Sequence, residues 1–176
     1  MQATNRLAEA EPLMRRVAAV FEENLGENHP NVATAINNLA QLLQATNRLA
    51  EAEPLMLRVV AIFEKSPGEN HPNFATAINN LAALLRDTNR LAESEPLMRR
   101  ALAMDEQSYG PEHPSVARDI NNLAALLRDT NRLADAEPLM RRALGIFERS
   151  LGPEHPNTEK AKENLALLQV ALKSSR

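Results

Sequence analysis

The sequence of 176 residues contains no cysteine. That removes disulfide frameworks, thiolate zinc sites and cysteine nucleophiles together. Aromatic residues are almost as scarce: Phe21, Phe63, Phe74, Phe147 and Tyr109 make up 3% of the chain. A core must then be built mainly from Ala, Leu, Ile, Val and Met, which favours closely packed helices over a sheet. Neither sign of charge dominates. A net charge of −3 gives no basic field, which excludes nucleic acid as the main partner. No run of about 18 apolar residues exists, so no helix is expected to enter a membrane. The opening MQATNRLAEAE lacks the basic and apolar regions of a secretion signal, and the chain reads as cytoplasmic. What remains, 44% hydrophobic and 24% charged residues, is the balance of a globular protein of ordinary domain size.

The arrangement of these residues is periodic. NRLA begins at Asn5, Asn47, Asn89 and Asn131, each 42 residues after the last, and EPLM follows at Glu11, Glu53, Glu95 and Glu137. Gly26, Gly68, Gly110 and Gly152 keep the same interval, as do the His-Pro pairs beginning at His29, His71, His113 and His155. A fixed period of this length is the signature of a repeat architecture.

Each unit reads as two helices. The first starts at the His-Pro turn, as in Pro30 to Gln44, where proline suits the first helical position. Val32, Ile36, Leu39 and Leu43 fall at spacings of three and four and form an apolar stripe. Ala45-Thr46-Asn47 makes the turn, Asn being tolerant of the left-handed conformation that ends a helix. The second helix spans about Arg48 to Ser66, with Leu49, Ala52, Met56, Val59 or Val60 and Phe63 facing inward and Gly68 at the position after its end. Pro12, Pro54, Pro96 and Pro138 lie inside the second helices, where each removes one backbone bond. A mild kink is expected there, not a break, because the stripe stays in phase on both sides.

A lone helix pair cannot bury its apolar face, so neighbouring pairs must stack. The expected fold is all-α: a right-handed α-solenoid of antiparallel helix pairs, about eight helices in one domain over residues 1–176. The repeat units fall at about 5–46, 47–88, 89–130 and 131–172. First helices line a concave face and second helices a convex one. The chain opens on a second helix, so the N-terminal unit lacks its first helix, as in a fragment of a longer array. The last helix, Asn157 to about Leu172, carries Lys160, Lys162, Glu163, Gln169 and Lys173 and looks like a polar cap.

The unit resembles the tetratricopeptide repeat, whose usual length is 34 residues: Leu39-Ala40 and Leu43 match the first helix and Ala52 the small residue opening the second. It is most similar to the 42-residue variety of kinesin light chains and bacterial repeat proteins, through AEAEPLMRR, ENHPNVA and INNLAQLL. The resemblance covers essentially the whole chain and implies a protein-binding module, with peptides lying in the concave groove against polar residues of the first helices. Carried over position by position, these are Thr34, Asn37, Asn38, Gln41 and Gln44, then Thr76, Asn79, Asn80 and Arg86, then Arg118, Asn121, Asn122 and Arg128, and last Lys160, Glu163 and Asn164. The residues that clamp a terminal carboxylate in chaperone-binding members are not all in place, only isolated matches such as Asn38 and Lys160. The heptad and cargo-regulatory segments of kinesin light chains are absent from the sequence.

The residues support the same reading independently. Asparagine is a poor helix former with no apolar area to bury, yet Asn37-Asn38, Asn79-Asn80, Asn121-Asn122 and the single Asn164 sit mid-helix. An amide offers two donors and an acceptor to an extended backbone, and Arg86, Arg118 and Arg128 would favour carboxylate-bearing segments. The competing expectation is that one amide of each pair, Asn38, Asn80, Asn122 or Asn164, bonds to a neighbouring helix instead.

Other signals are weaker. The four histidines are displaced by a whole repeat from copy to copy, on the order of 10 Å for packed helices. Zinc ligands must sit about 2 Å from one centre, so these read as turn histidines that cap first helices. No phosphate loop or nucleophile–base–acid spacing is present, and no cofactor, metal or enzymatic activity is expected. Glu11 and Arg15, Glu95 and Arg99, and Glu137 and Arg141 are spaced for helix-surface pairs. The paired arginines Arg15-Arg16, Arg99-Arg100 and Arg141-Arg142 alternate with glutamates and read as a solvated face. Leu7, Val17 and Val20 on the first helix are a candidate surface for self-association. The expected function is a non-enzymatic scaffold holding an extended, acidic peptide; the alternative is a spacer or oligomerisation module of a larger signalling protein.

Overall fold

The computed structural model describes residues 2–65 and 72–174, and among these it contains eight helices and no strand. They are α1 (Gln2–Leu25), α2 (Pro30–Ala45), α3 (Leu49–Lys65), α4 (Pro72–Asp87), α5 (Leu91–Tyr109), α6 (Pro114–Asp129), α7 (Leu133–Leu151) and α8 (Pro156–Ser174). The residues expected at the second His-Pro turn, Gly68 and His71, lie outside the described residues.

Local chemistry sets both ends of the helices. His29, His113 and His155 each accept the backbone N–H two residues on at Nδ1, from Asn31 (3.1 Å), Ser115 (3.1 Å) and Asn157 (3.2 Å). Each is followed by proline at the first helical position, which needs no donor partner. At the turn between paired helices Asn47, Asn89 and Asn131 have φ of 60°, 61° and 59°. This left-handed residue lets the next amide double back: Arg48 N–H donates to the Leu43 carbonyl and Arg132 N–H to that of Leu127, both at 2.8 Å. Orphan carbonyls at the helix end are thereby satisfied. The same Thr-Asn-Arg sequence at 4–6 is helical in α1, so the tripeptide permits the turn without dictating it. The internal prolines Pro12, Pro54, Pro96 and Pro138 sit inside unbroken helices.

The helices group into two compact units, Met1–Thr88 and Asn89–Arg176. In the first, α1 packs on α2, α2 on α3 and α3 on α4, while α2 and α4 also touch directly. The stripe Val32, Ile36, Leu39 and Leu43 is buried, as are Ala52, Met56, Val59 and Phe63 of α3; Val59, not Val60, takes the core position. The Phe63 and Phe74 rings, 5.7 Å apart, join α3 to α4. The second unit repeats the scheme: α5 on α6, α6 on α7, α7 on α8, and α6 beside α8. Its core gathers Val116, Ala117 and Ile120 of α6, Ala143, Ile146 and Phe147 of α7 and Ala161 of α8. In both units the first helices lie side by side, which puts equivalent side chains of neighbouring repeats within reach of each other.

Across the second helices, acidic and basic residues interlock. Glu11 pairs with Arg15 and with Arg48, and Glu95 with Arg99 and Arg132. The expected pairs Glu11–Arg15, Glu95–Arg99 and Glu137–Arg141 form at 2.8, 2.8 and 2.7 Å.

Candidate functional site

On α2 the residues Thr34, Asn37, Asn38 and Gln41 are spaced three and four apart and share one helix face. Together with Asn73 and Thr76 of α4, and with Phe63 of α3, they line a cleft of about 170 Å³. Asn38 and Gln41 are exposed, and Thr34, Asn37, Thr76 and Asn80 are half-buried. On this face α4 bonds to α2: Asn80 Nδ2 donates to Asn37 Oδ1 at 3.0 Å, and Asn73 Nδ2 to Thr34 Oγ1 at 3.3 Å. The Thr34 hydroxyl itself donates to the Pro30 carbonyl. Near the helix ends, Gln44 Nε2 donates to the Asp87 carboxylate at 2.8 Å, and Arg86 is half-buried. Asn79 differs from what its place in the sequence pattern implies. It is only 5% exposed and offers little to a visiting chain.

In the second unit the same rung forms between α6 and α8, with Asn164 Nδ2 donating to Asn121 Oδ1 at 3.1 Å. Asn122 is half-buried; Lys160 and Glu163 are exposed. The arginines are engaged. Arg128 pairs with its neighbour Asp129 at 3.2 Å. Arg118 pairs with Asp119 at 3.1 Å and with Asp105 of α5 at 3.4 Å. Asp119 has no exposed surface and Asp105 is 3% exposed. Burial pushes the Asp119 carboxyl up to about 7 against the pull of Arg118, and the charge of Asp105 and a hydrogen bond with it add to the rise.

Of the amides that sequence reasoning singles out, Asn37, Asn80, Asn121 and Asn164 therefore hold neighbouring first helices together, while Asn38 and Gln41 remain at the surface. Bonding across helices falls on Asn80 and Asn164 as one alternative had it, and their acceptors are the first asparagines of the preceding rung. The Asp105–Arg118–Asp119 cluster is not anticipated by the groove pattern. Its signal was departure from the repeat: Phe21, Phe63 and Phe147 occupy the position of Asp105, and Ala35, Ala77 and Ala161 that of Asp119. Among the described residues no three His, Asp or Glu side chains converge to hold a metal ion, and no helix is long and apolar enough to cross a membrane.

With this geometry in view, comparison with known proteins is informative. The tetratricopeptide repeat profile matches residues 1–65, 32–107, 73–149 and 119–175. None of the curated proteins matches the sequence. Among solved structures, the chain is similar to a Podosopora anserina protein described as a kinesin light chain with nearly identical TPR-like repeats. The identity is 25%, the match covers 98% of this chain and 82% of that one, and the TM-score is 0.80. It also resembles BtubC (BKLC) from P. vanneervenii, at 19% identity over 97% of this chain and 67% of that one, with a TM-score of 0.76. Aspartyl phosphate phosphatase F from Bacillus subtilis shares the fold at 15% identity, covering 82% of this chain and 37% of that one, with a TM-score of 0.71.

Proposed function

The chain belongs to the tetratricopeptide repeat family, and from that premise we propose that it is a non-enzymatic, cytoplasmic scaffold that binds an extended peptide along the open faces of its first helices. The observation that carries this reading is the polar cleft of the first unit, where Asn38 and Gln41 stay exposed beside the Asn37–Asn80 rung. Amides at helical spacing can both donate to and accept from a peptide backbone. In the second unit Asn122, Lys160 and the rung of Asn121 and Asn164 are the corresponding contacts. The preference for acidic segments rests on the exposed Lys160, since Arg118 and Arg128 are each matched by an aspartate of their own unit. The four repeats at about 5–46, 47–88, 89–130 and 131–172 act in this reading as one binding domain.

The test is a peptide library with acidic and neutral members titrated against the wild-type chain and an Asn38→Ala/Gln41→Ala variant. Both side chains are exposed, so the fold should survive the change. A loss of at least tenfold in affinity supports the groove; equal binding by both proteins overturns it.

A second reading, self-association as a spacer or oligomerisation module, is favoured by α1. Val17 and Val20 are 47% and 45% exposed, whereas the equivalent Val59 and Ile62 of α3 are 0% and 2% exposed. With Leu13, Arg16 and Phe21 they line an almost wholly apolar hollow of about 310 Å³. Light scattering over a concentration range, with Val17→Lys as control, discriminates: a monomer at every concentration counts against this reading and leaves the groove reading intact.

A further inference from the structure

The second unit contains a buried ionic cluster that the repeat does not need. At three equivalent places the molecule has phenylalanine for Asp105 and alanine for Asp119, and at two it has threonine for Arg118. There the same fold is filled by apolar groups: Phe147 packs with Ile146 and Ala161 in the second unit's own core. Ionic groups removed from water are a poor way to gain stability compared with side chains of that kind. What they add is a response to their surroundings.

Two carboxylates face one guanidinium. Arg118 lies 3.1 Å from Asp119 and 3.4 Å from Asp105, and both carboxylates are almost wholly sealed. With both ionised, the cluster holds one uncompensated negative charge between α5 and α6; with one proton shared between the two oxygens, it is neutral. The surrounding charges do not alter this balance. Beside Asp105 on α5, Glu106 is engaged by Arg142 of α7. Arg149 of α7 pairs with Glu112, and Glu148 is exposed. On α8, Lys162 donates to the Pro153 carbonyl, and Glu159, Lys160 and Glu163 are exposed. On α6 itself, Arg128 is taken by Asp129 a further two to three turns along the helix.

We propose that the Asp105–Arg118–Asp119 cluster is a proton-operated switch in the second unit, in which α5 and α6 pack tightly while one proton bridges the two carboxylates and loosen once it leaves. The raised titration of Asp119 agrees in direction. A folded carboxyl that keeps its proton to higher pH than the unfolded one stabilises the fold most at low pH. That contribution is lost as pH rises through the folded value, here near neutrality.

The experiment is amide hydrogen exchange of α6 in the full chain from pH 5 to 8, corrected for intrinsic rates, for wild type, Asp119→Asn and Asp119→Ala. Alanine occupies the equivalent position in every other copy, so that variant keeps the fold. Relative to either variant, wild-type protection should fall about tenfold per pH unit between pH 5 and 6.5 and level off above about 7.5, as expected for one linked proton. Protection that runs parallel in all three proteins overturns the proposal. So does a carboxyl carbon resonance of Asp119 that titrates in the ordinary aspartate range.

Discussion

Asn80 donates its side-chain amide to Asn37 at 3.0 Å across the boundary between the first helices α2 and α4. The same bond, Asn164 to Asn121 at 3.1 Å, recurs between α6 and α8. Each joins residues 43 apart, one more than the sequence repeat, because the asparagine at the second motif position of one first helix meets that at the first motif position of the preceding first helix. A directional polar rung of this kind favours one register of neighbouring first helices over its alternatives, which apolar contacts alone do less sharply. We expect Asn80→Ala to lower the stability of the first unit by about 1 kcal/mol, the net value of a half-buried hydrogen bond. Asn38→Ala, on an exposed side chain of the same face, should fall within about 0.5 kcal/mol of wild type. Urea unfolding followed by circular dichroism separates the two. An Asn80 variant as stable as the Asn38 variant would deny the rung any structural role.

Much of this was legible before any coordinates. The 42-residue period gave the helix pairs, and the stripe Val32, Ile36, Leu39 and Leu43 gave the buried face. Asn47 marked the turn and the histidines marked the helix starts, because each of these is set by contacts within a few residues. The roles of the paired asparagines were not legible. Both lie on polar-facing positions of an identical motif, and which one is spent on a neighbour depends on a one-residue offset between helices that no local pattern encodes. The burial of Asn79 is not legible either, since Asn37 and Asn121 at the equivalent position are only half-buried. The cluster of Asp105, Arg118 and Asp119 was written in the sequence as three departures from the repeat. Reading it required knowing that α5 and α6 bring positions 105 and 118 together.

That cluster can be exchanged for what the other copies carry. The combined variant Asp105→Phe/Arg118→Thr/Asp119→Ala restores residues that occur at those positions elsewhere in the same chain. Replacing a buried ionic group by apolar side chains of suitable shape is commonly neutral or stabilising by about 1–4 kcal/mol. Removing only the cation, in Arg118→Thr, strands two buried carboxylates. The loss should be about 1–3 kcal/mol, reduced from that of a fully buried pair because the Arg118 side chain is 42% exposed. Guanidinium unfolding at pH 7.5 measures both. A combined variant no more stable than the single one would mean that the apolar filling of the other repeats cannot be transplanted here.

At the opposite end of the pH scale the second helices respond with the opposite sign. Arg132, at 2.6 Å, holds the Glu95 carboxyl below the usual glutamate range, with Arg99 adding to the effect. A depressed titration of this kind stabilises the fold above the ordinary carboxylate range and is lost as pH falls through the lowered value. The pair is partly exposed, with side-chain exposures of 39% for Arg132 and 23% for Glu95, so its contribution should also weaken with salt. We expect the thermal midpoint of Glu95→Gln to lie below wild type at pH 7 and to converge on it as the solution is acidified towards pH 3. Curves that stay parallel through that interval would show that Glu95 does not couple protonation to folding.

Gly145 is a glycine in the middle of α7, where the equivalent residues of the other second helices are Ala19, Ala61 and Ala103. Glycine within a helix costs roughly 0.5–1 kcal/mol relative to alanine, chiefly through the freedom it retains in the unfolded chain. The backbone at this position does not call for glycine: Gly145 is absent from the positive-φ residues, in contrast to Gly110 and Gly152, with φ of 81° and 90°. A methyl group added there would meet one atom within 4 Å, the Arg149 guanidinium Nη1 at 3.2 Å. That atom is the far end of a flexible, exposed side chain that can rotate aside, although its pairing with Glu112 would have to adjust. The helix-propensity gain therefore outweighs the crowding. Gly145→Ala should raise the stability of the second unit by about 0.5 kcal/mol or slightly more and slow exchange of the α7 amides. If the variant is instead destabilised, the Arg149–Glu112 contact is worth more than the alanine, and an Arg149→Ala/Gly145→Ala double variant should then recover the gain.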